Sequence, residues 1–223
     1  MQPAQRRGLA EEAADRIREE IFAGRIPPAS ALREVELAAS LRVSRGSVRE
    51  GLAVLEREGL VRSVWHKGTH VIGLTESDIQ EVYDVRGALD RLAATTAAAH
   101  ASAEDLDELD WLVGQMAAET AAERALSLDL EFHEIIYRAA GNQRLLAAWH
   151  AVRSQVHLFQ AHRIRLGHDY QDRVEREHRE LARLIRAGQT KRLATVAEEH
   201  VHSARRALLA GLATPPEDQP PKS

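Results

Sequence analysis

Apolar positions recur at helical spacing near the start of the chain and change period twice. Leu9, Ala13, Ile17 and Ile21 predict a helix over residues 9–23, stopped by Gly24 and the Pro27-Pro28 pair. A short helix over Arg33–Ser40 and a tight turn through Leu41-Arg42-Val43 follow. Ser44 sits at the N-cap position of a third helix that runs to Glu58 and ends at Gly59. Leu37, Ala38, Leu41, Val43, Val48, Leu52 and Leu55 supply a small core between the two crossed helices. Then the period falls to two: Leu60, Arg62 and Val64 alternate, as do Thr69 and Val71, and His66-Lys67-Gly68 between them makes a β-hairpin.

From Thr75 onward the pattern is helical throughout. Thr75-Glu76-Ser77-Asp78 and Ser102-Ala103-Glu104-Asp105 are capping boxes with Asp in place of Glu. Helices are expected over 76–100, 103–121, 124–140, 143–164, 169–187 and 190–211, with Gly141-Asn142 and Gly188-Gln189 as terminating turns. The fold class is therefore mainly α: an N-terminal winged helix-turn-helix over 1–74, an antiparallel all-α helical bundle over 75–212, and a proline-rich disordered tail over 213–223.

Composition agrees and narrows the chemistry. The 37 alanines suit closely packed helices, and no proline lies between residues 29 and 214. There is no cysteine, which excludes disulfides, zinc ribbons and thiol nucleophiles and fits a reducing, cytoplasmic setting. No apolar signal core or run of about 18 apolar residues is present, so no membrane association is expected. Residues 1–74 hold 12 basic and 10 acidic side chains, whereas 75–223 hold 18 and 24. A slightly basic first part joined to an acidic second part hints at a nucleic-acid module with a different partner domain.

The third helix has the chemistry of a duplex reader. Val48, Leu52 and Leu55 bury one face, and Arg45 and Arg49, one turn apart, project from another, beside Ser44 and Ser47. Arginine forks suit guanine or phosphate, and a helix N-terminus offers free N–H groups to a phosphate. The hairpin tip, His66-Lys67-Gly68, is a candidate minor-groove wing. These residues carry a resemblance. Leu32-Arg33-Glu34-Val35-Glu36-Leu37-Ala38, Val43-Ser44-Arg45-Gly46-Ser47-Val48-Arg49-Glu50, Leu55-Glu56-Arg57-Glu58-Gly59-Leu60-Val61 and the Gly68-Thr69 wing resemble the DNA-binding domain of the GntR family of bacterial transcription regulators. The resemblance implies DNA contacts from Arg33, Arg45 and Arg49 and from the wing at Lys67 and Gly68. Three positions depart from the family pattern: Arg42 replaces a turn glycine, Gly46-Ser47 replaces Thr-Pro, and Gly51 replaces Ala. Gly46 removes a side chain at a base-facing site, and two glycines weaken a recognition helix by about 0.5–1 kcal/mol each.

Four polar residues fall on apolar helix faces in the second part. Asp129 and His133 lie one turn apart within or beside the stripe Ala125, Leu128, Phe132, Ile136 and Ala140. His178 continues the series Val174, Leu181, Ile185, and His200 that of Leu193, Val196, Ala197, Ala204 and Leu208. Each histidine alone is explained by a hydrogen-bonded core position, whereas the four together suit one divalent ion, Zn, Ni, Mn or Fe. His133-Glu134-Ile135-Ile136-Tyr137 misses the H-E-x-x-H zinc protease motif because Tyr137 holds the second His position. Arg86 falls in the apolar stripe of its own helix and either aims at a ligand carboxylate or pairs with Asp90.

Val82-Tyr83-Asp84-Val85-Arg86, Asp129-x3-His133, Ala140-Gly141-Asn142, Glu177-His178-Arg179 and Glu199-His200 resemble the FCD effector domain. That resemblance implies one divalent metal per chain on Asp129, His133, His178 and His200, with open positions for a small organic acid. It places Arg86 by the effector, and Asn142 either lines that pocket or caps a helix. It also implies a homodimer on a pseudo-palindromic operator, acting as a repressor. The alternatives are a regulator for which the ion itself is the signal and a metal-dependent enzyme with a DNA-binding anchor. No P-loop, G-x-G-x-x-G or G-x-S-x-G motif supports the enzyme.

Overall fold

A computed structural model describes residues 8–165 and 171–213. The order is α1 (Leu9–Phe22), β1 (Ala31–Leu32), α2 (Glu34–Leu41), α3 (Arg45–Arg57), β2 (Val61–Val64), β3 (Gly68–Val71), α4 (Glu76–His100), α5 (Ala103–Ala118), α6 (Ala122–Ala139), α7 (Gln143–Arg165), α8 (Gln171–Arg186) and α9 (Thr190–Ala213). The tail assigned to 213–223 lies outside the described residues apart from Ala213, which ends α9.

The caps set the helix starts. Ser44 accepts from the Ser47 amide at 3.0 Å, Thr75 from the Asp78 amide at 3.1 Å, and Ser102 and Asp105 form a reciprocal capping box. α5 is shorter than the pattern predicts, ending at Ala118, where the Glu119 side chain accepts from the Thr120 and Ala121 amides. Arg42 takes the left-handed conformation that ends α2, at φ 57°, the conformation for which glycine is better suited. The hairpin pairs Val61 with Val71 and Val64 with Gly68. β3 also pairs with β1, so the sheet has three antiparallel strands in the order β1-β3-β2. Two residues are too few to show an alternating pattern, and β1 is invisible in the sequence.

Gly51 has a packing reason. A Cβ there would lie 2.8 Å from the Ala10 carbonyl oxygen and 3.1 Å from the Ala14 amide, so glycine lets α1 lie directly on α3. Gly59 is constrained by its φ of +67°, and the end of the Gln155 side chain of α7 lies in the space a Cβ would take.

Two apolar clusters form the core. One fills the bundle, with α6 at its centre, buried on most sides through Leu128, Phe132, Ile135 and Ile136. The other gathers Ile17, Ile21, Val48, Leu52 and Leu55 of the reader together with Ile79 and Tyr83 of α4, Leu158 and Phe159 of α7, and Val201, Ala204 and Leu208 of α9. The reader's hydrophobic core therefore continues into the bundle. Phe22 stacks on His157 at 3.7 Å between ring centroids, and Arg165 donates to the Phe22 carbonyl at 2.9 Å across the same seam.

Candidate nucleic-acid interface and candidate metal centre

The first turn of α3 is exposed at Ser44, Arg45, Gly46 and Arg49, while Val48, Leu52 and Leu55 face inward. Ser44 is engaged as the cap and its oxygen lies 2.9 Å from that of Ser47. Arg49 forks onto Glu34 of α2, with Nε to Oε1 at 3.0 Å and Nη2 to Oε2 at 3.1 Å, and Arg45 approaches the same carboxylate at 3.7 Å. Arg49 holds that carboxyl below its ordinary range through the hydrogen bond. Arg33 precedes α2 and donates to Glu36 at 2.9 Å. His66 and Lys67 form the exposed wing tip with Trp65, and His66 adopts φ 60°. The Glu34 clamp and the exposed Trp65 escape the helix-face pattern, because one depends on two helices crossing and the other on a turn.

In the bundle, Asp129, His133, His178 and His200 are all buried, and one ligand atom from each lies within 4.8 Å of the others. Asp129 Oδ1 is 2.6 Å from His178 Nε2 and 3.8 Å from His133 Nε2, and His133 Nε2 is 3.3 Å from His200 Nε2. Glu177 sits 2.8 Å from His200 Nδ1, which places the ring proton on that nitrogen and turns the Nε2 lone pair inward. Burial, and then the Arg86 charge, hold His133 well below its ordinary pKa. Burial also lowers His200 against the opposing pull of Glu177. Burial pushes the Asp129 carboxyl up, but the neighbouring His178 and then His133 outweigh it and hold it below the usual range. His133 and His200 held low beside a carboxyl that favours its ionised form suit the protonation states that metal binding requires. Asp129 Oδ2 is buried without a hydrogen-bond partner. The donor set and the orphaned oxygen fit a divalent ion, provided the His133 Nε2 lone pair, which accepts from Arg86 Nη2 at 3.0 Å, turns to the ion instead.

Arg86 takes the pairing with Asp90 that the sequence allows. It donates from Nε to Asp90 at 3.2 Å and from Nη2 to His133 at 3.0 Å, and its Nη1 is buried without a hydrogen-bond partner. Asp90 in turn accepts from Tyr137 at 2.5 Å. The cavity among Asp90, His133, Tyr137 and His200 holds 10 Å³, room for about one water. His200 also lines an open groove of 670 Å³ between α8 and α9, with Arg176, Arg183 and Arg192.

Asn142 is not part of this cluster. Its side chain is exposed and accepts from the Arg144 and Leu145 amides at 3.1 and 3.2 Å, so it caps α7. Of the two roles the sequence leaves open for Asn142, the cap is the one its oxygen fills. Of the histidines given no site role, His150 pairs with Glu134 at 2.7 Å, His157 stacks at the seam, His162 is half-buried, and His168 lies outside the described residues. The side chain of Val174 is likewise outside them. Missed by pattern reading were Glu177 and the Asp90–Tyr137 pair, which support the cluster from behind.

Residues 9–71 match the family of bacterial regulatory proteins described as gntR, and residues 81–203 match the FCD domain. The probable D-xylose utilization operon transcriptional repressor of Paenarthrobacter nicotinovorans is 35% identical over 150 residues, 66% of this chain and 66% of that protein. The gluconate operon transcriptional repressor of Bacillus licheniformis is 30% identical over 161 residues, 70% of this chain and 66% of that protein. The chain thus spans just under two thirds of the length of each. A crystal structure of a GntR transcriptional regulator from Rhodococcus sp. RHA1 superposes with a TM-score of 0.71 at 22% identity, covering 92% of this chain and 99% of that one. At that identity the likeness concerns the fold. Among the described residues, no helix is long and apolar enough to cross a membrane.

Proposed function

Because the chain belongs to the gntR family of bacterial regulatory proteins, with an FCD domain behind its DNA reader, we propose that it is a repressor released from a pseudo-palindromic operator by a small carboxylate. The carboxylate binds beside one divalent ion, Zn, Ni, Mn or Fe, held by Asp129, His133, His178 and His200. The observation that carries this reading is the convergence of three imidazoles and one carboxylate in a buried space. The names of two relatives concern gluconate and D-xylose operons, and gluconate is a small carboxylate.

The roles follow from position. A bound ion supplies a Lewis-acidic anchor for a ligand oxygen. Arg86 offers its unpartnered Nη1 to the ligand's negative charge, and Asp90 with Tyr137 orients Arg86. Glu177 orients His200. On the DNA, two copies of the chain present two α3 helices to two half-sites. Arg45 and Arg49 read bases or phosphate, Arg33 and the α3 N-terminus around Ser44, Gly46 and Ser47 hold the backbone, and His66, Lys67 and Gly68 enter the minor groove. The coupling runs through α4 and α9. α9 carries His200 in the cluster and Val201, Ala204 and Leu208 against the reader, and α4 carries Arg86 beside Tyr83. A differential affinity of about 1–3 kcal/mol gives a 5–150-fold response.

The test begins with elemental analysis of the purified chain. About one ion per chain is expected, lost in the His133→Ala/His178→Ala double variant and kept in Arg49→Ala. A panel of small organic acids should then raise the melting temperature of metal-loaded protein and release a duplex selected by the wild-type chain from a random pool. Protein that never holds metal when supplied with it overturns the centre. A second reading is favoured by the 10 Å³ cavity, too small for a multi-carbon acid without movement of the helices: the ion itself is the signal. DNA release by metal alone, with no added effect of acids, decides for it. Turnover of a small acid by the metal-loaded chain would favour an enzyme instead.

A further inference from the structure

The wing carries a side chain that its fold does not use. Trp65 is 85% exposed, whereas Trp149 is fully buried. An indole bares far more apolar surface than a wing needs for stability, and a large exposed apolar group flags a contact surface. The tip around it is built to hold a shape. The register places Trp65 immediately after the last paired residue of β2, Lys67 donates its amide to the Val64 carbonyl at 3.0 Å, and His66 takes a left-handed φ of 60°. A non-glycine residue in that region is uncommon and costs free energy. The His66 ring meets Trp65 edge to face at 4.9 Å. Val64 beside it is 39% exposed, Lys67 is an exposed cation, and Arg62, also exposed, lies 3.6 Å from the Asp78 carboxylate, a surface pair that a phosphate can replace. The wing is tied to the end of α3 by the Ser63 amide, which donates to Glu56 at 2.8 Å.

We propose that Trp65 is a minor-groove wedge, entering a flexible pyrimidine–purine step next to the bases faced by α3. An apolar wedge rimmed by cations is the chemistry that kinks a duplex from its minor groove: the cations meet phosphates and the ring replaces a base-stacking partner. Val64 adds to the wedge, and the strained turn keeps the ring extended. The site thereby selects operators by deformability at a step outside the α3 contacts. The inference rests on the proposed operator binding.

The experiment uses the full chain and a fluorescein-labelled duplex selected by the wild type from a random pool. Trp65→Ala should bind it about tenfold or more weakly, with Trp65→Phe between the two. The wild type's tryptophan emission should change on adding the duplex, and Trp65→Phe, which keeps Trp111 and Trp149, should lose most of that change. Energy transfer between dyes at the duplex ends should report a smaller bend with Trp65→Ala. Trp65→Ala binding within about twofold of wild type, or an emission change as large in Trp65→Phe as in the wild type, overturns the wedge. Arg49→Ala separates the two failures. If it loses binding while Trp65→Ala does not, the wedge alone is wrong; if neither loses binding, the operator reading falls as well.

Discussion

Two of the molecule's arginine–carboxylate pairs, one in each region, sit in different solvents. Arg49 forks onto Glu34 at the surface of the reader, with 67% of the arginine side chain and 28% of the carboxylate exposed. Arg86 meets Asp90 inside the bundle, with 1% and 5% exposed. Water screens the first pair, and such pairs contribute little to stability. Its arginine can exchange the carboxylate for a phosphate or a guanine at small cost. The second pair has lost its hydration, so each charge depends on its partner and neither can leave alone. The lesson is that contact chemistry does not set function: burial makes one pair an exchangeable contact and the other a fixture.

Removing one carboxylate at a time should separate the two pairs. Asp90→Ala leaves Arg86 buried and strips Tyr137 of its acceptor, so a loss of about 3–5 kcal/mol in urea unfolding is expected. A loss no larger than that of a surface substitution would mean that water reaches Arg86. Next comes the seam between the two regions, where His157 is held down to about 4 by burial and then by Arg153. The folded chain keeps this ring neutral, while the unfolded chain takes a proton below about 6.5. Its contribution is therefore complete above about pH 6.5 and is lost as pH falls toward 4. Unfolding at pH 7 and pH 5 should differ by about 2 kcal/mol more in the wild type than in His157→Gln. An equal difference in both would show that His157 does not couple the seam to pH. The smallest effect belongs to Glu34→Ala. It should leave the melting temperature nearly unchanged and raise affinity for a random duplex about two- to fivefold, by freeing Arg49 from a competing anion. Weaker binding would instead make Glu34 a positioning group for Arg49.

Much of this was legible from local pattern. Ser44, Thr75 and Ser102 declare their helices because a cap acts within three residues. The stripes through His133, His178 and His200 place them inward because helical period and burial go together. What escaped depends on contacts distant in sequence. Gly51 reads as a weak helix residue until Ala10 is found against it. Asn142 reads equally as cap or ligand contact, and only its exposure decides. Glu177 behind His200, and Tyr137 on Asp90, are invisible without the helix packing. β1 exists because β3 is beside it.

The continuity of the reader's core with α4, α7 and α9 bears on how such a chain can be recombined. A cut near residue 74 does not release a finished module: it bares the side of the reader that faced Tyr83, Phe159 and Leu208. A chimera joining this reader to a foreign bundle would inherit its base preference and lose its footing. Transplanting the docking residues with the reader is what would keep such a fusion packed as one body.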